Sequence, residues 1–117
     1  MNLNKFTETT LVNKGCSMSV NTGIFNPKVG YFASFKASEN KIPIADFSEA
    51  NVLQFVINNA SKLKENGNFL GSWVENELVY MDVSRQFEHE LDAKLFGIFN
   101  EQKAYYDAKE EKVINLN

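Results

Sequence analysis

The chain has 117 residues and a formal net charge of −3, from 12 basic and 15 acidic side chains, with 44% hydrophobic and 13% aromatic residues. Ten Phe, four Tyr and one Trp exclude a disordered chain, the lack of an apolar run near about 20 residues excludes a transmembrane helix, and the length suits one domain, residues 1–117. An acidic balance and a single arginine, Arg85, exclude general nucleic-acid binding, which needs excess cations to displace counterions and guanidinium forks to grip phosphate.

One cysteine, Cys16, allows no internal disulfide, and Cys16 with the one histidine, His89, cannot build a Cys/His zinc site. The start, Met1 to Glu8, lacks the basic-then-apolar order of a secretory signal, so a cytoplasmic location is expected.

Residues Leu11 to Lys36 read as β structure. Met18, Val20 and Thr22 alternate with Ser17, Ser19 and Asn21, and after the turn-forming Phe25-Asn26-Pro27-Lys28 a second period-two series runs Val29, Tyr31, Ala33, Phe35. A hairpin or a wider antiparallel pair is predicted. Lys41 to Ile44 forms a short extended piece, and Pro43, with no N–H to donate, suits a sheet edge. The first predicted helix starts at a cap on Asp46 or Ser48, with Phe47 as an apolar staple. Val52, Phe55, Val56, Ala60 and Leu63 make one stripe that Leu53 and Ile57 widen, which predicts deep packing; Asn66-Gly67 stops the helix.

Phe69–Val74 and Leu78–Val83 form a predicted hairpin through Glu75-Asn76-Glu77. Val79, Met81 and Val83 face one way, and Leu78, Tyr80 and Asp82 the other. A second helix over Glu88–Gln102 opens on acids that favour its dipole, and Leu91, Leu95, Ile98, Phe99 and Gln102 share one face. Ala104–Asp107 and Lys112–Leu116 form a last strand pair. The order is β-β-(β)-α-β-β-α-β-β, which predicts the α+β class: a single antiparallel sheet with two helices packed on one face. The other sheet face would hold Phe32, Trp73, Tyr80 or Tyr105, depending on register; rings exposed there together would mark a binding surface or a homodimer interface.

Motifs for catalysis are missing. His89 stands among Glu88, Glu90 and Asp92 without the second histidine of a zincin helix or a Cys-x-x-Cys pair, and reads as a surface residue at a helix start. A Cys16–His89 nucleophile pair has no local support. No dinucleotide fingerprint, Walker loop, nucleophile elbow or EF-hand spacing occurs. No catalytic residue, metal ligand or cofactor is therefore expected, and the chain does not read as an enzyme.

The charge is uneven. Seven lysines face five acids over residues 1–66, whereas ten acids face four lysines and Arg85 over residues 67–117. The acids between Glu75 and Asp92 either decorate a solvated hairpin tip and a helix N-terminus, or form a patch for a basic partner. The second reading selects Glu75, Glu77, Tyr80, Asp82, Glu88 and Glu90 as partner-binding residues.

One stretch runs Leu70-Gly71-Ser72-Trp73-Val74-Glu75-Asn76-Glu77-Leu78-Val79-Tyr80-Met81-Asp82-Val83-Ser84, followed by Ala93 and by Asn100-Glu101-Gln102-Lys103-Ala104-Tyr105-Tyr106-Asp107. With the weaker Gly30-Tyr31-Phe32-Ala33-Ser34 and Ile42-Pro43, it resembles small uncharacterised proteins of bacteriophages and integrative elements. The resemblance covers about half the chain, implies a setting rather than an activity, and carries no functional residue with it. That setting implies a short non-enzymatic protein that binds and inhibits a host defence protein, for example as a CRISPR inhibitor. The expected partner is a host protein with a basic nucleic-acid-binding surface, with no direct nucleic-acid or membrane contact. An oligomer binding a small ligand or signalling nucleotide, and a toxin-neutralising immunity protein, are the alternatives.

Overall fold

The chain opens on a helix, not a strand. In this computed structural model, which describes residues 2–116, α1 covers Leu3–Asn13 and is followed by β1 (Gly15–Met18), β2 (Tyr31–Ser34) and β3 (Asn40–Pro43). A 3₁₀ turn (Ile44–Asp46) then leads into α2 (Glu49–Asn58), α3 (Ala60–Leu63), β4 (Asn68–Glu75), β5 (Leu78–Phe87), α4 (Glu90–Phe99), β6 (Ala104–Asp107) and β7 (Lys112–Asn115). The architecture is α+β: one antiparallel sheet of seven strands, with four α-helices among the described residues.

α1 forms because Asn2 caps it, its Oδ1 accepting from Lys5 N–H at 3.0 Å, and because Leu3, Phe6, Thr7 and Thr10 fall on one face. Two of those inward residues are threonines. Thr10 is fully buried, its hydroxyl donating to Phe6 O at 2.8 Å and lying 2.6 Å from the Ser72 hydroxyl of β4, so a polar residue fills an apolar position without an unpaired group.

Strand order is β1-β4-β5-β2-β6-β7, with β3 beside β5 along the same edge as β2. The predicted β1–β2 pairing is therefore wrong: β4 and β5 lie between these strands. β1 ends at Met18, and Ser19 to Ile24 closes a tight turn (Gly23 N–H to Ser19 O, 2.8 Å) that returns the chain only as far as a single Met18–Phe25 bridge. The β4–β5 hairpin has the expected faces. Its turn residues, Asn76 (φ 52) and Glu77 (φ 61), are both left-handed, the geometry of a type I′ turn, which matches the strand twist.

Parity along β5 sets the two sheet faces. Val79, Met81 and Val83 are fully buried with Leu70, Met18, Phe6 and Val52 in the main core, each such side chain contributing about 1.5–3 kcal/mol. All four helices pack on this face; β2 joins it through Tyr31 and Ala33, and β6 through Tyr105. Ser48 opens α2 with its N–H donating to Asn51 Oδ1 at 2.7 Å, and Val52, Phe55, Val56 and Leu63 are buried as expected. Leu53 and Ile57 are exposed, so this helix packs less deeply than predicted.

α4 reverses the prediction. It buries Ala93 and Gly97 and wedges Phe96 against Phe35 and Phe87, ring centroids 5.0 and 5.1 Å apart, while Leu91, Leu95, Ile98 and Phe99 point to solvent. A Cβ on Gly97 would stand 2.8 Å from Leu116 Cδ1 and 3.8 Å from Ala33 Cβ. The small stripe brings the helix backbone close to the sheet, and the larger side chains are left without a surface to lie on. Gly97→Val should overpack this contact and cost about 1–3 kcal/mol in urea unfolding. An unchanged midpoint would show that α4 does not depend on the close approach.

Candidate functional site

The sheet face opposite the helices carries no helix. Along β5 it presents Tyr80, Asp82 and Ser84; along β4, Phe69, Gly71, Trp73 and Glu75; along β2, Phe32 and Ser34. Cross-strand pairing brings these residues together. Trp73 and Tyr80 are direct partners and stack with centroids 5.0 Å apart at 4°, and Lys41 Nζ lies 5.9 Å from the Tyr80 ring centre. Further along, Phe32 and Phe69 meet edge-to-face at 5.1 Å. Of the four aromatics assigned to this face by sequence, Phe32, Trp73 and Tyr80 occupy it. Tyr105 does not: it is buried on the helix side, and its neighbour Tyr106 takes the open face.

Between the two aromatic pairs sits Asp82. Its carboxylate is buried, Oδ2 accepts from Ser34 Oγ at 2.5 Å, and Oδ1 lies over Gly71, where any Cβ would approach to 2.6 Å. Glycine at 71 is what gives the carboxylate room. Burial pushes the Asp82 pKa up to about 6 from 3.8, the Ser34 hydrogen bond opposes that rise, and the negative charge of Glu39 adds to it.

The five acids and one tyrosine selected by sequence do not make one patch. Glu75 and Glu77 are exposed at the β4–β5 turn, with no ion pair among the described residues, and Tyr80 and Asp82 follow them on the same sheet face. Glu88 and Glu90 lie beyond the far end of β5, whose ten residues span roughly 30 Å. Glu90 is engaged there, accepting from the Tyr105 hydroxyl at 2.7 Å; burial first, then this carboxylate, pushes the phenol up to about 12. The contiguous acidic surface expected from the linear run is thus split into two groups, with Asp82 withdrawn from solvent.

The remaining candidates stand apart. Cys16 is buried on β1, its thiol pushed up to about 11 by desolvation. His89 precedes α4 at the surface, and the sheet register separates the two by roughly 20 Å. Arg85 is used structurally, donating to Asn68 Oδ1 at 3.2 Å, while Asn68 Nδ2 donates to Lys62 O at 2.8 Å at the end of α3. Among the described residues no group of three or more His, Cys, Asp or Glu is placed to hold a metal ion, and no helix is long and apolar enough to cross a membrane. Sequence reasoning missed the outward stripe of α4, although its spacing was visible, because the same spacing was read as buried.

No family model, curated protein or solved structure matches this chain.

The Asp82 carboxyl links stability to pH. Its pKa is raised on folding, so the folded state holds the proton more tightly than the unfolded chain; the associated stability is present below about pH 4 and is lost as pH rises through about 6. Asp82→Asn keeps the shape and removes the titration. The difference in unfolding free energy, variant minus wild type, should grow by about 1–3 kcal/mol between pH 4 and pH 7.5 in urea titrations. A difference independent of pH would show that Asp82 is hydrated in the folded state.

Proposed function

We propose that this chain is a non-enzymatic, cytoplasmic binding protein of a phage or mobile element, acting by occupying a surface of a host protein, with a defence protein such as a CRISPR effector as the target class. One observation carries the binding part of this reading: the stacked Trp73–Tyr80 pair stands on a sheet face that no helix covers, at the foot of a turn bearing exposed Glu75 and Glu77. Rigid aromatic side chains lose little rotamer freedom on docking and supply most of the energy at protein interfaces. Acids at the rim steer a basic partner and set its orientation rather than adding much affinity. A nucleic-acid-binding channel on the target is basic in the required sense, and covering it would exclude nucleic acid by competition.

The phage setting supports the choice of target through the resemblance of the Leu70–Ser84 and Asn100–Asp107 stretches, and the chemistry of the hairpin supports its charge. Glu88 and Glu90 are not part of this surface.

Capture of partners from bacterial lysate with the tagged chain, followed by affinity measurement on the purified partner, tests the reading. Trp73→Ala should weaken binding by about 30-fold or more, the loss typical of an interface anchor. Glu75→Lys with Glu77→Lys should slow association and remove its salt dependence, while Glu110→Lys, a charge change on the distant β6–β7 turn, should leave both unchanged. Equal losses from the hairpin and Glu110 variants, or none from Trp73→Ala, would overturn it.

A further inference from the structure

Asn66 and Gly67 lie in the connection between α3 and β4 and are the one Asn-Gly pair in the chain. Both are exposed. Asn68 N–H donates to Glu65 O at 3.2 Å across them, and Gly67 stands at φ 87, in a turn that calls for glycine at its third position. The peptide group joining the pair has no partner. Neither Asn66 O nor Gly67 N–H takes part in a hydrogen bond among the described residues, and the Asn66 side-chain amide is equally unengaged. The anchors lie on either side of it: Gln86 N–H donates to Gly67 O at 2.8 Å, and Asn68 Nδ2 donates to Lys62 O at 2.8 Å. The 66–67 peptide can therefore rotate between fixed points, because glycine accepts either sign of φ.

We propose that Asn66 is a site of spontaneous covalent modification, its amide converting to an isoaspartyl or aspartyl residue through attack by the Gly67 backbone nitrogen. Base removes the Gly67 N–H proton, and the nitrogen forms a bond to Asn66 Cγ. The Cγ–Nδ2 bond breaks, and Nδ2 takes up a proton and leaves as ammonia. Water then opens the cyclic imide. Cleavage of the new N–Cγ bond gives an aspartyl residue, and cleavage of the original peptide bond gives an isoaspartyl one, whose main chain runs through Cβ and Cγ. In sum, amide and water become carboxylate and ammonium, with no change of oxidation state.

The position is singled out by both sequence and structure. Every other asparagine inside the chain precedes a residue bearing a Cβ, which crowds the attacking nitrogen. The side chains of Asn26, Asn51, Asn59, Asn68 and Asn100 are also held in hydrogen bonds. The two products differ in consequence. An aspartyl residue adds only a surface charge, whereas an isoaspartyl one lengthens the main chain just before buried Asn68, which ties α3 to Arg85 of β5. This turn stands at the opposite end of β4 from Glu75, so the proposal is independent of the hairpin binding reading.

Native protein held between about pH 7 and 9 should gain about 1 Da, at a rate rising about tenfold per pH unit, as the anionic fraction of a very weak acid does. Peptide mapping should place the gain on Asn66, with exposed Asn76, in the same tryptic fragment, unchanged. Asn66→Gln should suppress it, because the longer side chain closes its larger ring slowly. Once separated, the isoaspartyl protein should unfold at a lower urea concentration, whereas Asn66→Asp should keep the wild-type midpoint. Four results would each overturn the proposal: no gain in native protein over the time that converts half of the chain unfolded in guanidinium chloride, a gain centred on another asparagine, a gain that persists in Asn66→Gln, or an isoaspartyl form as stable as wild type.

Discussion

β5 is paired along both edges, and on one of them its partners arrive end to end. β3 takes Leu78 to Met81 and β2 takes Ser84 to Phe87. The gap between them is closed by backbone and side chain: Phe35 N–H donates to Val83 O at 2.9 Å, and Ser38 Oγ accepts from Val83 N–H at 3.1 Å. Register here decides the whole molecule. A slip of one residue would carry Val79, Met81 and Val83 out of the core and bury Tyr80, Asp82 and Ser84 in their place. The two-residue turn at Asn76 and Glu77, the Ser38 plug and the Ser34–Asp82 hydrogen bond all enforce the same alignment, so a buried carboxylate on the open face also acts as a register pin.

Elements ruled by local pattern were legible in the sequence. The β4–β5 hairpin declared its faces through strict alternation, and α2 declared itself through a cap and a three-four stripe of large residues. α1 was hidden because Thr7 and Thr10 stand where apolar residues would signal a helix, and their hydroxyls find partners only in the folded chain. The β1–β2 error has a different origin. Pairing between strands distant in sequence leaves no local trace, and Met18 to Phe35 alternates well enough to suggest a hairpin that the Ser19–Ile24 turn cuts short.

α4 shows two stripes, and hydrophobicity alone picks the wrong one. Helix-to-sheet packing depends on approach distance as well as transfer free energy, and Ala93 with Gly97 permits an approach that Leu91 and Leu95 would prevent. The acidic run misled for a related reason. Charge summed along a chain says nothing of distance in space, and the ten residues of β5 carry Glu88 and Glu90 away from Glu75 and Glu77, while Asp82, on the open face, is buried between two aromatic pairs. By contrast, the Trp73–Tyr80 stack follows directly from the hairpin register, since facing positions on one sheet surface hold their side chains within contact distance.

The two solvent-facing features of this fold differ in kind and in place. The stripe of α4 lies on the helix layer, and the aromatic pair with its acidic turn lies on the bare side of the sheet. Both trace to a glycine that permits a close approach: Gly97 lets α4 lie against the sheet and so turns its larger apolar side chains outward, and Gly71 leaves room for the Asp82 carboxylate between the two aromatic pairs.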